Sequence, residues 1–233
     1  MARLNPSPKE SAFTGKTTFL DLHSLHEGTN ALASEDRVQV DFARLKGILR
    51  ELRTGDKAKA KGWADAELIV ALLSIDTKSE GQQRFADMVA RYFEVEESYY
   101  RDNFVSTPAG RHPAEVFDKE KGVRPFISLA PRLAYGVGRL ARYEEPHVLV
   151  LTHCFELYYP LTHLVRSNMQ ARVGLAYFSS LLDHRWKQAG LFDDESPVDF
   201  FDLDPYASEI LGGIELTGRR ATQSAKRSPF DRI

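Results

Sequence analysis

Side chains capable of metal binding and acid–base chemistry follow the most apolar short segment of the chain. In His147–Leu151, four of the five residues are apolar and two of these are valine, which predicts a strand buried on both faces of a parallel sheet. The polar residues that come soon after it are Thr152, His153, Cys154 and Glu156. Pro160 then lies in the first turn of a predicted helix. Because open α/β sheets bind ligands beyond the carboxyl ends of their strands, we expect the functional site here.

A second set of polar side chains closes the first predicted strand, which spans 17–22. Asp21 and His23 would share one side of the chain if the strand continued that far, because side chains alternate along a strand. Two interpretations of Asp21 and Glu156 stay open. They are either a pair of metal ligands, or they form ion pairs with Arg124 that tie the strand ends together.

A zinc site is a further alternative for this group. Imidazole and thiolate are good zinc ligands, so His23, His153 and Cys154 could bind Zn²⁺ together with Asp21. The spacing of these residues matches no established zinc signature. Ordinary polar packing is therefore the competing interpretation.

Composition limits the classes of function. The chain has 233 residues, 42% of them hydrophobic, and a net charge of −2, so there is no overall attraction to nucleic acid. One cysteine excludes an intrachain disulfide and a zinc site made of cysteines alone. The sequence contains no apolar run of about 18 residues and no signal-peptide pattern, which predicts a cytoplasmic protein without a membrane span.

Predicted strands alternate with predicted helices along the chain, which indicates a single α/β domain: a central parallel sheet flanked by helices in three layers. The further predicted strands span 67–75, 95–100, 172–178 and 198–203, and the predicted helices cover 42–52, 80–93, 123–143, a segment from Pro160, and a segment from Ser179 or Ser180 to Gly190. We predict a flexible leader at 1–16, the domain at 17–211 and a disordered tail at 212–233.

Several short motifs are similar to those of a known family. They are Asp21 within LDLHSL, GQQRFADMV at 81–89, KGVR at 121–124, THCFEL at 152–157, and DFFDL at 199–203. In this order, over 17–206, the chain resembles NYN domains, which are relatives of the PIN-domain ribonucleases. The resemblance implies a PIN-like three-layer fold and an acidic site that binds Mg²⁺ or Mn²⁺ to cleave RNA.

The resemblance also implies roles for individual residues. Asp21 and Glu156 would be the metal ligands and catalytic acids, with Asp199 or Asp76 as a further acid. The sequence departs from the family pattern where Arg124 and Cys154 replace acids. With a cation beside two carboxylates, the site could also bind no metal at all.

Positive side chains around the predicted site could contact RNA phosphates. Lys121, Arg124 and Arg132 are the residues we expect on such a face, and a solvated helix surface is the alternative. Two functions follow. The first is an RNA-binding protein or altered metal-dependent ribonuclease. The second is a catalytically inactive NYN-like scaffold that binds protein partners through the 101–122 loop and the tail.

We predict that the natural protein shows weak or absent Mg²⁺-dependent RNA cleavage, because the Arg124 guanidinium would occupy the volume that hydrated Mg²⁺ needs. Arg124→Asp combined with Cys154→Asp should create divalent-metal binding, measured by calorimetry. Tight Mg²⁺ binding by the unmodified protein, or no gain in a folded double variant, would contradict the prediction.

Overall fold

The structure is a computed structural model that describes residues 14–33, 39–75, 79–99, 104–107, 110–113, 129–193 and 195–212. Its central feature is a six-stranded, all-parallel sheet in the order β3-β2-β1-β6-β7-β8. The strands are β1 Lys16–Asp21, β2 Leu68–Ile75, β3 Glu94–Tyr99, β6 His147–Leu151, β7 Arg172–Tyr177 and β8 Asp199–Asp202. A separate antiparallel hairpin pairs β4 Phe104–Thr107 with β5 Gly110–Pro113. The predicted α/β class with a parallel sheet flanked by helices is confirmed.

β1 lies in the centre of the sheet. It pairs with β2 on one side and with β6 on the other, so the order of strands along the chain reverses at the β1–β6 junction. The segments that leave β1 and β6 therefore diverge and open a crevice at their carboxyl ends, where ligands bind in sheets of this kind. The residues after β1 read DLHSLH at 21–26, so they lack the glycine-rich turn that binds dinucleotides in other sheets with this strand order.

The helices of the described ranges connect successive strands, except for the last one, which follows β8. They are α1 Leu22–Leu32, α2 Phe42–Thr54, α3 Asp56–Ala60, α4 Glu80–Val89, α5 Ala130–Leu140, α6 Tyr158–Ser167, α7 His184–Gln188 and α8 Ala207–Ile210. Short 3-10 turns span Phe155–Leu157 and Asp204–Tyr206. Asp41 and Ser79 cap α2 and α4 through their side chains, as those residue types favour.

The structure differs from the predicted helices at three places, each for a local reason. α1 lies in a segment for which we predicted no helix, because its small and polar residues obscure the buried Leu22 and Leu25. α4 ends at Val89 rather than continuing to residue 93. Ser179 and Ser180 cap no helix. Their hydroxyls donate to the carboxylates of Asp202 and Asp204 instead, and Asp183 caps α7.

The two strands that end at the predicted site, β1 and β6, are buried on both faces of the sheet. All five residues of β6 are buried, as are the last five of β1. On α5, a Cβ added at Gly136 would stand 2.9 Å from ring atoms of Phe19, so the missing side chain lets this helix approach β1 closely. The end of β1 is therefore held rigidly between its neighbours.

The predicted leader and tail fall mostly outside the described residues, at 1–13 and 213–233. Thr14 to Lys16 are described, and Lys16 begins β1. In the ranges that the structure does describe, none of the helices combines the length and apolar character needed to cross a bilayer.

A buried arginine organises the amino edge of the sheet, opposite the predicted site. Arg53 is fully buried at the end of α2 and donates to the carbonyl oxygens of Thr17, Ala64 and His147 at 2.9 to 3.3 Å. It also donates to the hydroxyl of Thr18 at 3.0 Å. Burial lowers its pKa to about 10. This guanidinium links α2 to the starts of both central strands.

We predict that Arg53→Met lowers the free energy of unfolding by about 2–4 kcal/mol, because buried carbonyl oxygens lose their donors. Arg53→Lys should lose less, since an ammonium keeps the charge and reaches some of the acceptors. The matched control is Arg50→Met on the same helix, where the exposed pair with Asp65 predicts a change of about 0.5 kcal/mol or less. Urea denaturation measures all three, and an Arg53→Met variant as stable as Arg50→Met would refute this role.

Candidate functional site at the carboxyl edge

Asp21 is the last residue of β1 and the N-cap of α1. Its backbone is extended, with φ −83° and ψ 97°, and its Oδ1 accepts hydrogen bonds from the backbone N–H groups of His23 and Ser24 at 3.1 and 3.0 Å. These two donors would otherwise be unsatisfied at the start of a helix. The strand therefore ends at Asp21 because its carboxylate starts a helix, and His23 does not continue the strand.

The second oxygen of Asp21 links β1 to the segment after β6. Oδ2 accepts from the hydroxyls of Ser24 and Thr152 at 2.6 and 3.0 Å, and from the thiol of Cys154 at 3.8 Å. Thr152 Oγ1 in turn accepts the backbone N–H of Cys154 at 3.1 Å. Asp21 is only 1% exposed, so five protein donors replace its contact with water.

This arrangement does not fit the Mg²⁺ or Mn²⁺ ion that the resemblance implies. Hard cations need free carboxylate oxygens, and both oxygens of Asp21 already accept hydrogen bonds inside the protein. Glu156 lies exposed on the 3-10 turn that follows β6, and no hydrogen bond joins it to Asp21. Within the described ranges, no three histidine, cysteine or acidic side chains are placed so that they could hold one metal ion.

The zinc alternative also finds little support in the geometry. Cys154 is buried against Asp21, and burial, together with the Asp21 charge, raises the pKa of its thiol to about 12. A thiol that stays protonated at neutral pH is a poor metal ligand. Its hydrogen bond to Asp21 gives it a structural role.

Asp199 lies far from this group, so the structure does not support its predicted place beside Asp21. It is the first residue of β8 and pairs with Gly174 near the start of β7. Its carboxylate accepts from Trp63 Nε1 at 2.7 Å and forms an ion pair with Lys61, at the amino edge of the sheet. In the sheet register, Asp199 on β8 is level with Thr18 on β1, which is three residues before Asp21 and three strands away.

The predicted RNA-contact residues divide into two groups. Lys121 and Arg124 lie outside the described residues, as does Asp76. Arg132 opens α5, and its Nη1 donates to Glu96 on β3 at 3.3 Å. Its charge is therefore partly neutralised by β3.

A histidine–glutamate–histidine cluster that the sequence did not predict lies near Asp21, on its solvent side. Glu27 on α1 places Oε1 3.5 Å from His23 Nε2 and Oε2 3.5 Å from His153 Nε2. His23 and Glu27 are four positions apart and share a helix face, whereas His153 comes from the segment after β6. The i, i+4 spacing was the available signal, but it has meaning only once α1 is recognised as a helix.

Neighbouring aromatic residues hold His153 and α1 in place around this cluster. The ring of His153 lies 5.6 Å from that of Tyr177, and its carbonyl oxygen accepts from Trp186 Nε1 at 3.2 Å. Tyr177 Oη donates to the carbonyl oxygen of Ser24 at 3.1 Å, so β7 holds α1 in place. A Cβ at Gly28 would stand 2.7 Å from Tyr177 Oη, so only glycine permits this approach.

Burial shifts the pKa of all three cluster residues. Burial raises the pKa of Glu27 to about 7, and the nearby Asp21 carboxylate adds to the effect. Burial lowers the pKa of both His23 and His153, against the opposing pull of Asp21. Burial therefore favours the uncharged form of all three side chains.

Aromatic side chains form a rim beside His153. Phe155 stacks on Tyr158 at 5.5 Å and meets Trp186 edge-on at 5.2 Å. Tyr159 packs edge-on against Tyr158 but is 77% exposed, and Arg185 lies over the ring of Phe155 at 5.0 Å. Of the two tyrosines that begin α6, Tyr158 packs into the rim and Tyr159 faces solvent.

Comparison with known proteins gives no family for the chain. No family model matches it, and no curated protein matches it. One solved structure resembles it, a protein of unknown function from Vibrio parahaemolyticus with 10% sequence identity and a TM-score of 0.47. The match covers 80% of this chain and 90% of the other. The NYN resemblance therefore stays a prediction.

We predict that Asp21→Asn lowers the pKa of Glu27 from about 7 toward its ordinary value, because a neighbouring negative charge is removed. The same change should lower the free energy of unfolding by about 1–3 kcal/mol, since charge-assisted hydrogen bonds are lost. NMR titration of the Glu27 carboxyl carbon and urea denaturation measure the two effects.

Ser24→Ala is the matched variant for this test. It removes one hydroxyl donor but keeps the Asp21 charge, so stability should fall by about 1 kcal/mol while the pKa of Glu27 stays raised. A Glu27 titration that is the same in Asp21→Asn and the natural protein would contradict the electrostatic argument.

Proposed function

We propose that this protein is an RNA-binding domain of NYN/PIN-like type whose Asp21 carboxylate supports the fold instead of holding a metal ion. The observation that carries the proposal is the state of Asp21, which is buried, accepts from five protein donors and lies at the β1–β6 junction, where sheets of this kind bind ligands. The motif resemblance supplies the class of ligand.

The rim of the crevice supports a single-stranded ligand. Contacts run continuously from His153 through Trp186 and Tyr158 to the exposed Tyr159. An exposed tyrosine offers a stacking surface for a base, and the imidazoles offer donors to phosphate oxygens. Arg185 already donates through Nε and Nη2 to Asp183, so its charge is partly neutralised. The chain as a whole is slightly acidic, so binding depends on this local set of residues.

The scaffold alternative relies on the 101–122 loop and the tail. Within that loop the structure describes only the β4–β5 hairpin, and the tail lies beyond residue 212. This alternative becomes the better proposal if the crevice takes no nucleic acid.

We predict that the protein binds a labelled single-stranded 2′-O-methyl RNA of about 12 nucleotides in EDTA, measured by fluorescence anisotropy. The 2′-O-methyl group protects the strand from cleavage by its own sugar. Tyr159→Leu should weaken the affinity about 5- to 50-fold, because a stacked base loses its partner.

Tyr135→Leu is the control. Tyr135 is 67% exposed on the middle of α5, next to the glycine that packs on mid-β1, so it lies away from the carboxyl edge. Its replacement should change the affinity by less than about twofold. Absence of binding to any single-stranded sequence overturns the proposal, as does equal weakening by the two replacements.

A further inference from the structure

We draw no further inference here: the strongest candidate, the groove between α2 and the starts of β2 and β3, has its two basic side chains already engaged, Lys46 with the carbonyl oxygen of Tyr92 and Arg50 with Asp65, and nothing in the described part of the chain shows what ligand would occupy it.

Discussion

The hydrogen bonding of the Asp21 carboxylate is the constraint on which the rest of the site depends. A buried carboxylate is costly unless donors replace its water, and here backbone N–H groups, two hydroxyls and a thiol do so without a cation among the described residues. The same bonds end β1, start α1 and tie β1 to the segment after β6. His23 and His153 lie where they do because this carboxylate fixes both backbones.

This use of Asp21 changes the chemistry that the crevice can support. An acid engaged with protein donors has no oxygen to offer a hard cation, and titratable groups with shifted pKa values lie in the more exposed layer next to it. There Glu27 meets two imidazoles, and its raised pKa reflects burial next to the charge below. The structural acid and the titrating acid are thus different residues, separated by less than two turns of one helix.

The sequence allowed the α/β class and the parallel sheet to be predicted, because apolar runs such as His147–Leu151 report burial directly. It did not reveal α1, whose polar and small residues obscure its periodicity, and the Glu27 cluster was missed with it. Asp199 was assigned to the site through the resemblance of DFFDL at 199–203 to a family motif. Which end of the sheet the acid then occupies depends on strand register.

The bond between Thr152 and Asp21 joins residues 131 positions apart, which has a consequence for the order of folding. The contacts of Asp21 with His23 and Ser24 are local and can form as soon as α1 does. The contact with Thr152 must wait until β6 has inserted beside β1, after most of the chain has emerged from a ribosome. Until then a charged group that belongs in the interior remains hydrated, which opposes premature collapse around β1. Completion of the crevice and insertion of the central strand are therefore one late event.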